Sequence, residues 1–257
     1  MASTERFGYE WNKYSHMNQN YEKQIKNWVS PLTPDDFKNK SILDAGCGMG
    51  RNSFWALKWG ASELTAFDFD ERSIKAAKNT LKDFSNVKIE FRDINKIDWT
   101  EKFDLGFSIG VVHHLNNPEL AIRNLFRSIK PGGKLLLWVY SFEGNEWIVK
   151  YINPIRINFT SKLPLPLVHF LSYFASIPLW AITRFYKNKP GYFGQLSNFK
   201  LDHITSIVFD QLIPSVANYW SRTDIENLLK NSEIEKYSIN QPPNKCGWTV
   251  IIEKKLS

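Results

Sequence analysis

Between residues 41 and 140 the apolar positions follow two alternating rhythms. SILDAG (41–46) is a continuous apolar run that ends in glycine, the pattern of a strand buried on both faces. RNSFWALKWG (51–60) follows with helical spacing and a terminal glycine, which predicts a helix closed by Gly60. ELTAFDF (63–69) reads as a second strand, and DERSIKAAKNTLKDF (70–84) as a second helix with Asp70 at its N-cap. VKIEFRD (87–93) and FDLGFSIG (103–110) give two more strands. PELAIRNLFRSI (118–129) is a helix with Pro118 in its first turn, and Pro131-Gly132-Gly133 is a tight turn into a fifth strand, KLLLWVY. Strands and helices in this alternation predict a parallel sheet covered on both faces.

The rhythm breaks after Tyr140. Residues 141–215 are aromatic and proline-punctuated and lack strand alternation. Regular signals return with SRTDIENLLKNS, a helix opened by Ser221, and with the strand-like runs EIEKYSIN and GWTVIIEKK. The expected architecture is α/β: a Rossmann-like, doubly wound, seven-stranded sheet, mostly parallel with an antiparallel last strand. A mainly helical insertion follows strand five. The expected domains are an N-terminal helical arm (1–40), a ligand-binding domain (41–140 and 216–257) and an aromatic cap (141–215).

Glycines at 46, 48 and 50 occupy the turn between the first strand and the first helix, where the backbone can approach a ligand closely. A dinucleotide loop of the form G-x-G-x-x-G needs glycine at position 51, and this chain has Arg51. The form G-x-G-x-G preceded by Asp44 instead resembles the class I S-adenosylmethionine-dependent methyltransferases. Asp68 at the end of strand two, FRDI (91–94) after strand three, SIGVVHHL (108–115) after strand four and PGGKLLLWVY through strand five agree with that family in order. The resemblance implies S-adenosylmethionine as cofactor. It assigns Asp68 to the ribose hydroxyls and Asp93 to the adenine amino group. Asp44, Gly46, Cys47, Gly48, Gly50, Phe69, Ile94 and Gly110 complete the implied cofactor site.

Methyl transfer from a sulfonium needs aligned reactants and, for an alcohol acceptor, a proton acceptor. His113 and His114 stand just past strand four, and histidine titrates near neutrality. Adjacent side chains on extended chain diverge, so at most one of the pair should face the methyl. The Asn-Pro-Pro-Tyr-like motif of base- and glutamine-methylating enzymes is absent after strand four, and no cysteine follows that strand. FGYEWNKYS near the N-terminus and FDQLIPSVANYWSR (209–222) resemble a methyltransferase group associated with surface-polysaccharide synthesis. That likeness implies a saccharide or lipid-linked saccharide acceptor, with Tyr9, Trp11, His203, Asp210 and Gln211 as candidate lining. A quinone or isoprenoid acceptor is the first alternative. A nucleic acid and a non-catalytic cofactor-binding role come after it.

Charge and composition sharpen this picture. The net charge is +7, and six basic residues with no Asp or Glu lie between Tyr151 and Lys200, so the rest of the chain is near neutral. Basic residues flanking an apolar segment fit a membrane surface or an anionic amphiphile better than nucleic acid. Two cysteines cannot complete a four-ligand zinc site, and no metal is expected. The polar N-terminus MASTERFGYEWNKYS lacks a secretory apolar stretch, which points to the cytoplasm. LPLPLVHFLSYFASIPLWAIT (163–183) holds no charge and is long enough to span a bilayer. Pro164, Pro166 and Pro178 interrupt it, and the sheet resumes after it, so a cap is expected rather than a span. Phe170, Tyr173, Phe174 and Trp180 are expected to line the acceptor site or rest on a membrane, with Arg184, Lys187 and Lys189 meeting phosphate.

Overall fold

A computed structural model describes residues 20–187, 189, 192–242 and 245–256. Seven strands build one sheet: β1 (Ser41–Ala45), β2 (Glu63–Asp68), β3 (Val87–Phe91), β4 (Phe103–Ile109), β5 (Ile129–Tyr140), β6 (Tyr237–Asn240) and β7 (Gly247–Glu253). Their order is β3-β2-β1-β4-β5-β7-β6. The first five strands pair in parallel, and β7 runs antiparallel to both β5 and β6. The architecture is the one that the apolar rhythm predicts. All five β1 residues are buried, because helices cover both faces of the sheet. Ile42 faces one core and Leu43 and Ala45 the other. Strand order reverses between β1 and β4, and in open α/β sheets the ligand crevice opens at the carboxyl ends beside that switch.

Among the described residues five helices belong to this layer: α1 (Asn20–Val29), α2 (Arg51–Lys58), α3 (Glu71–Thr80), α4 (Pro118–Arg127) and one more after the insertion. Asp70 caps α3 by accepting from the backbone amides of Arg72 and Ser73. The helix stops at Thr80, short of the predicted Phe84. In α1, Ile25 and Val29 are fully buried against the β1 face, so this part of the N-terminal segment is core. The insertion after β5 contains α5 (Asn153–Asn158), entered through a π-turn at Ile148–Ile152, then α6 (Leu165–Thr183), α7 (Tyr192–Leu196) and α8 (Leu201–Leu212). The last helix of the sheet layer, α9 (Arg222–Asn231), opens on a Ser221/Asp224 capping box.

Two local expectations are corrected. Pro131-Gly132-Gly133 does not precede β5 but forms an irregularity inside it, where pairing jumps from Phe103–Ile129 to Leu105–Lys134. A side chain at Gly133 would meet the Asp104 carbonyl at 2.7 Å, so only glycine fits. EIEKYSIN yields a strand only over its last four residues. Glu233 takes a positive φ of 61° and turns the chain first.

Candidate active site

β1 delivers the chain into the glycine loop with Gly46 at φ 78°, and a Cβ there would stand 2.5 Å from a Val111 methyl. The loop and the end of β4 therefore interlock, and no other residue can take the place of Gly46 without displacing Val111. The amides of Gly46 and Cys47 both donate to the Phe67 carbonyl at 2.9 Å, which ties the loop to β2. Asp68, at the end of β2, accepts from the Gly48 amide at 2.9 Å and from the Asp70 amide at 3.1 Å. Burial raises its carboxyl to about 6 even though those amides favour the charged form. Behind it, Asp44 accepts from the Ser53 hydroxyl at 2.6 Å. Burial pushes Asp44 up to about 7 against the Ser53 bond, with the Asp68 charge adding to the rise. Burial likewise raises the Cys47 thiol, which is inert as a nucleophile in that state.

A cavity of about 940 Å³ opens at the switch point. Gly46, Asp68, Phe69, Asp93, Ile94 and Gly110 line it, as does His114. Asp44, Cys47, Gly48 and Gly50 do not: they hold the loop from behind, and Gly50 starts α2 at φ 81°. The Asp93 carboxylate accepts from the Asn95 amide and so fixes its own orientation at the rim. Phe69 stacks on Phe91 at 5.3 Å. Among the described residues no group of three His, Cys, Asp or Glu is placed to hold a metal.

The two histidines part company. His113 is fully buried, packs on Tyr140 at 4.0 Å, and finds no hydrogen-bond partner for either ring nitrogen. Burial holds it well below the usual histidine range, with His114 and Arg156 adding to the effect, so it stays neutral. His114 donates from Nδ1 to the Val216 carbonyl at 2.8 Å, because a carbonyl can only accept. That bond fixes the proton on Nδ1 and makes Nε2 the acceptor. Burial lowers His114 to about 4.

Around His114 the cavity holds a polar chain. The Tyr219 hydroxyl donates to Gln211 Oε1 at 2.8 Å, and Gln211 Nε2 donates to the Tyr140 hydroxyl at 3.1 Å. The Tyr140 and Tyr219 rings stack at 5.2 Å, and burial pushes Tyr219 up to about 12. His203, Asp210 and Gln211 all line the cavity as expected from the sequence. His203 packs on Phe199 at 3.9 Å, and burial lowers it to about 3. Tyr9 and Trp11 lie outside the described residues.

Of the two roles expected for the cap aromatics, lining the site is the one that the structure does not give them. None of Phe170, Tyr173, Phe174 and Trp180 lines the cavity, and α6 presents Ala175 and Leu179 there instead. Phe170 and Phe174 are exposed, while Trp180 packs with Tyr21, Leu196, Phe199 and Ile204. Arg184 is not spare for phosphate: its guanidinium donates to the carbonyls of Ser197 and Phe199 at 2.7 and 2.6 Å. Sequence reasoning missed the α1 wall (Gln24, Trp28) and the pair Tyr140 and Tyr219. The aromatic end of β5 read only as a strand, although a tyrosine at the carboxyl end beside the switch point was a signal. Arg51, which breaks the dinucleotide pattern, also lines the cavity and lies 5.1 Å over the Tyr21 ring and 5.2 Å over Trp28.

Residues 36–146 match the family model described as Methyltransferase domain. Residues 36–146 of this chain thus form a methyltransferase domain. A tRNA U34 carboxymethyltransferase of Nautilia profundicola is 28% identical to this chain over 47% of its length and 40% of the relative's. A ubiquinone biosynthesis O-methyltransferase of Pseudomonas fluorescens is 27% identical over 49% of this chain and 58% of that one. The chain thus spans about half the length of these curated relatives, and the alignments cover about half of it. A magnesium protoporphyrin IX methyltransferase from Synechocystis PCC 6803, solved with bound SAH, shares the fold. Its TM-score is 0.57 at 13% identity, covering 96% of this chain and 93% of that one. The residues of the methyltransferase domain suit the cofactor of the class: the glycine loop leaves no Cβ at its closest approach, and an acidic acceptor closes β2.

Proposed function

We propose that the protein is an S-adenosylmethionine-dependent O-methyltransferase of a small hydroxyl-bearing acceptor with an apolar portion. A lipid-linked saccharide, brought in beside a membrane surface, is the leading class. One observation carries this reading: the same cavity is lined by Gly46 and Asp68 and by His114 with the Tyr140–Gln211–Tyr219 chain. Ligand sites of about 300–1,000 Å³ are typical of small molecules, and this volume leaves room for cofactor and acceptor together. S-adenosylmethionine supplies the methyl group as a sulfonium.

The chain's own residues bind, orient and take the proton. Asp68 accepts from the ribose hydroxyls, Asp93 and Phe69 face the adenine, and the backbone of the glycine loop faces the amino-acid end. Gln211 and Tyr219 orient the acceptor hydroxyl. His114, neutral at physiological pH with its acceptor on Nε2, takes the hydroxyl proton. The roof excludes water, which strengthens each of these polar contacts. A quinone or isoprenoid phenol is the second reading, favoured by the apolar stretch of wall formed by Ala175, Leu179, Leu196 and Ile207.

The test is labelled S-adenosylmethionine added with the protein to an extract of cells lacking the gene. Label in an organic-extractable, hydroxyl-derived product supports the proposal. Label in RNA, or none in any fraction while the protein binds cofactor, overturns it.

A further inference from the structure

Helix α6 is packed inside out. The side it buries carries His169, Ser172, Ser176 and Thr183, with Val168 the one buried aliphatic. These polar groups are bonded within the cap: the Ser176 hydroxyl donates to the Ser172 carbonyl at 2.8 Å, and the Thr205 hydroxyl of α8 donates to Ser176 at 3.0 Å. The side it shows outward carries Leu167, Phe170, Leu171, Phe174, Ile177 and Ile182, followed by Phe185, which is 79% exposed. The Phe170 and Phe174 rings meet at 5.5 Å on that outer side. The preceding segment continues the theme, with Tyr151, Ile155, Ile157 and Phe159 exposed. A soluble protein seldom leaves so large an apolar area uncovered.

We propose that the cap is a monotopic membrane anchor: α6 lies in the plane of an anionic bilayer surface with its Leu, Phe and Ile side chains in the acyl boundary. The charge pattern selects this occupant. Lys150, Lys162, Lys187, Lys189 and Lys200 are exposed on the segments that flank α6 in sequence, and residues 151–200 contain no Asp or Glu. A second copy of the chain on this face would press like charges together, whereas anionic headgroups neutralise them. The sheet excludes a single crossing. β5, before the cap, pairs with β7, after it, so both ends of the cap lie on one side of any bilayer. Lying flat, the 19 residues of α6 cover about 28 Å. The opposite side of the same helix lines the cavity through Ala175 and Leu179. An anchored cap therefore sets the cavity wall beside the acyl boundary. This inference rests on the outer surface alone and holds whatever the acceptor is.

Vesicle co-sedimentation of the full chain tests it. Phosphatidylcholine vesicles containing phosphatidylglycerol are compared with phosphatidylcholine alone, at low and high salt. The expected result is binding to the anionic vesicles that weakens with salt. The triple variant Phe170→Ser/Phe174→Ser/Phe185→Ser should lower it at least ~100-fold, and Lys187→Glu/Lys189→Glu about tenfold. Unchanged S-adenosylmethionine affinity in both variants shows that they are folded. Wild-type protein that stays in the supernatant overturns the proposal. So does a stable dimer in sedimentation velocity that the Phe variant disperses, or resistance of bound protein to carbonate extraction.

Discussion

Helices α4 and α6 obey opposite rules of burial. α4 buries Ala121, Ile122 and Leu125 against the sheet and shows Arg123 and Arg127 to water. α6 buries hydroxyls and an imidazole and shows phenylalanines. Neither arrangement is an error of sequence, because each buried polar group of α6 has a hydrogen bond or a ring contact inside the cap. The difference teaches that burial is set layer by layer in this chain: the sheet layer hides aliphatic side chains and shows charge, and α6 does the reverse.

The sharpest way to break that comparison is one charge placed at matching positions. Leu125→Asp in α4 puts a carboxylate in the core and should abolish cooperative folding, a loss of several kcal/mol. Phe174→Asp in α6 should leave the melting temperature within a few degrees and raise solubility. Scanning calorimetry on the two proteins decides; equal damage at both sites would mean that the outer face of α6 is core after all.

The next effect is catalytic. His114→Gln should lower single-turnover methyl transfer by about 10²- to 10⁴-fold with cofactor affinity unchanged. His113→Gln should act only through packing and show a smaller rate loss with a lower melting temperature.

Asp68→Ala should weaken S-adenosylmethionine binding by about tenfold to a hundredfold, from the loss of a charge-assisted bond. Its pH dependence sharpens the assignment. The bound ribose needs the ionised carboxylate, so wild-type affinity should fall as pH drops through about 6, and titration calorimetry of Asp68→Asn should lack that inflection. Folding has the opposite sign. A carboxyl raised from 3.8 binds its proton more tightly folded than unfolded, so the ligand-free protein loses stability as pH rises past 3.8 toward 6.

The smallest effect lies inside the cap. Ser176→Ala removes the acceptor of Thr205 and should cost about 0.5–1.5 kcal/mol. Urea unfolding measures it, and a gain in stability would show that the buried hydroxyls of α6 do not hold the cap.

Much of the sheet layer was legible because its rules are local. Apolar runs, Asp70 and Ser221 at helix starts, and glycines at the loop each report on their own few residues. The part of the cavity beside the glycine loop was legible for the same reason: Gly46 and Asp68 sit at the ends of adjacent parallel strands, and strand order follows from the alternation. The polar chain beside His114 was not. Tyr140, Gln211 and Tyr219 are 71 and 8 residues apart and meet only because the insertion folds back over β5. The outward turn of Phe170 and Phe174 was also hidden, since a helix with apolar residues nearly all round does not say which side packs.

The place of β7 has a consequence for how the molecule is made. Although it comes last of the seven strands in sequence, β7 is interior to the sheet, between β5 and β6, and its Thr249 hydroxyl also donates to the Trp28 carbonyl at the end of α1. Before β7 is made, β5 has β4 on one side and an open edge on the other, while the cap has already emerged. The nascent protein thus presents its greasiest surface to the cell before its sheet can close. A truncation that reaches into Gly247–Glu253 would remove an interior strand rather than fray an edge.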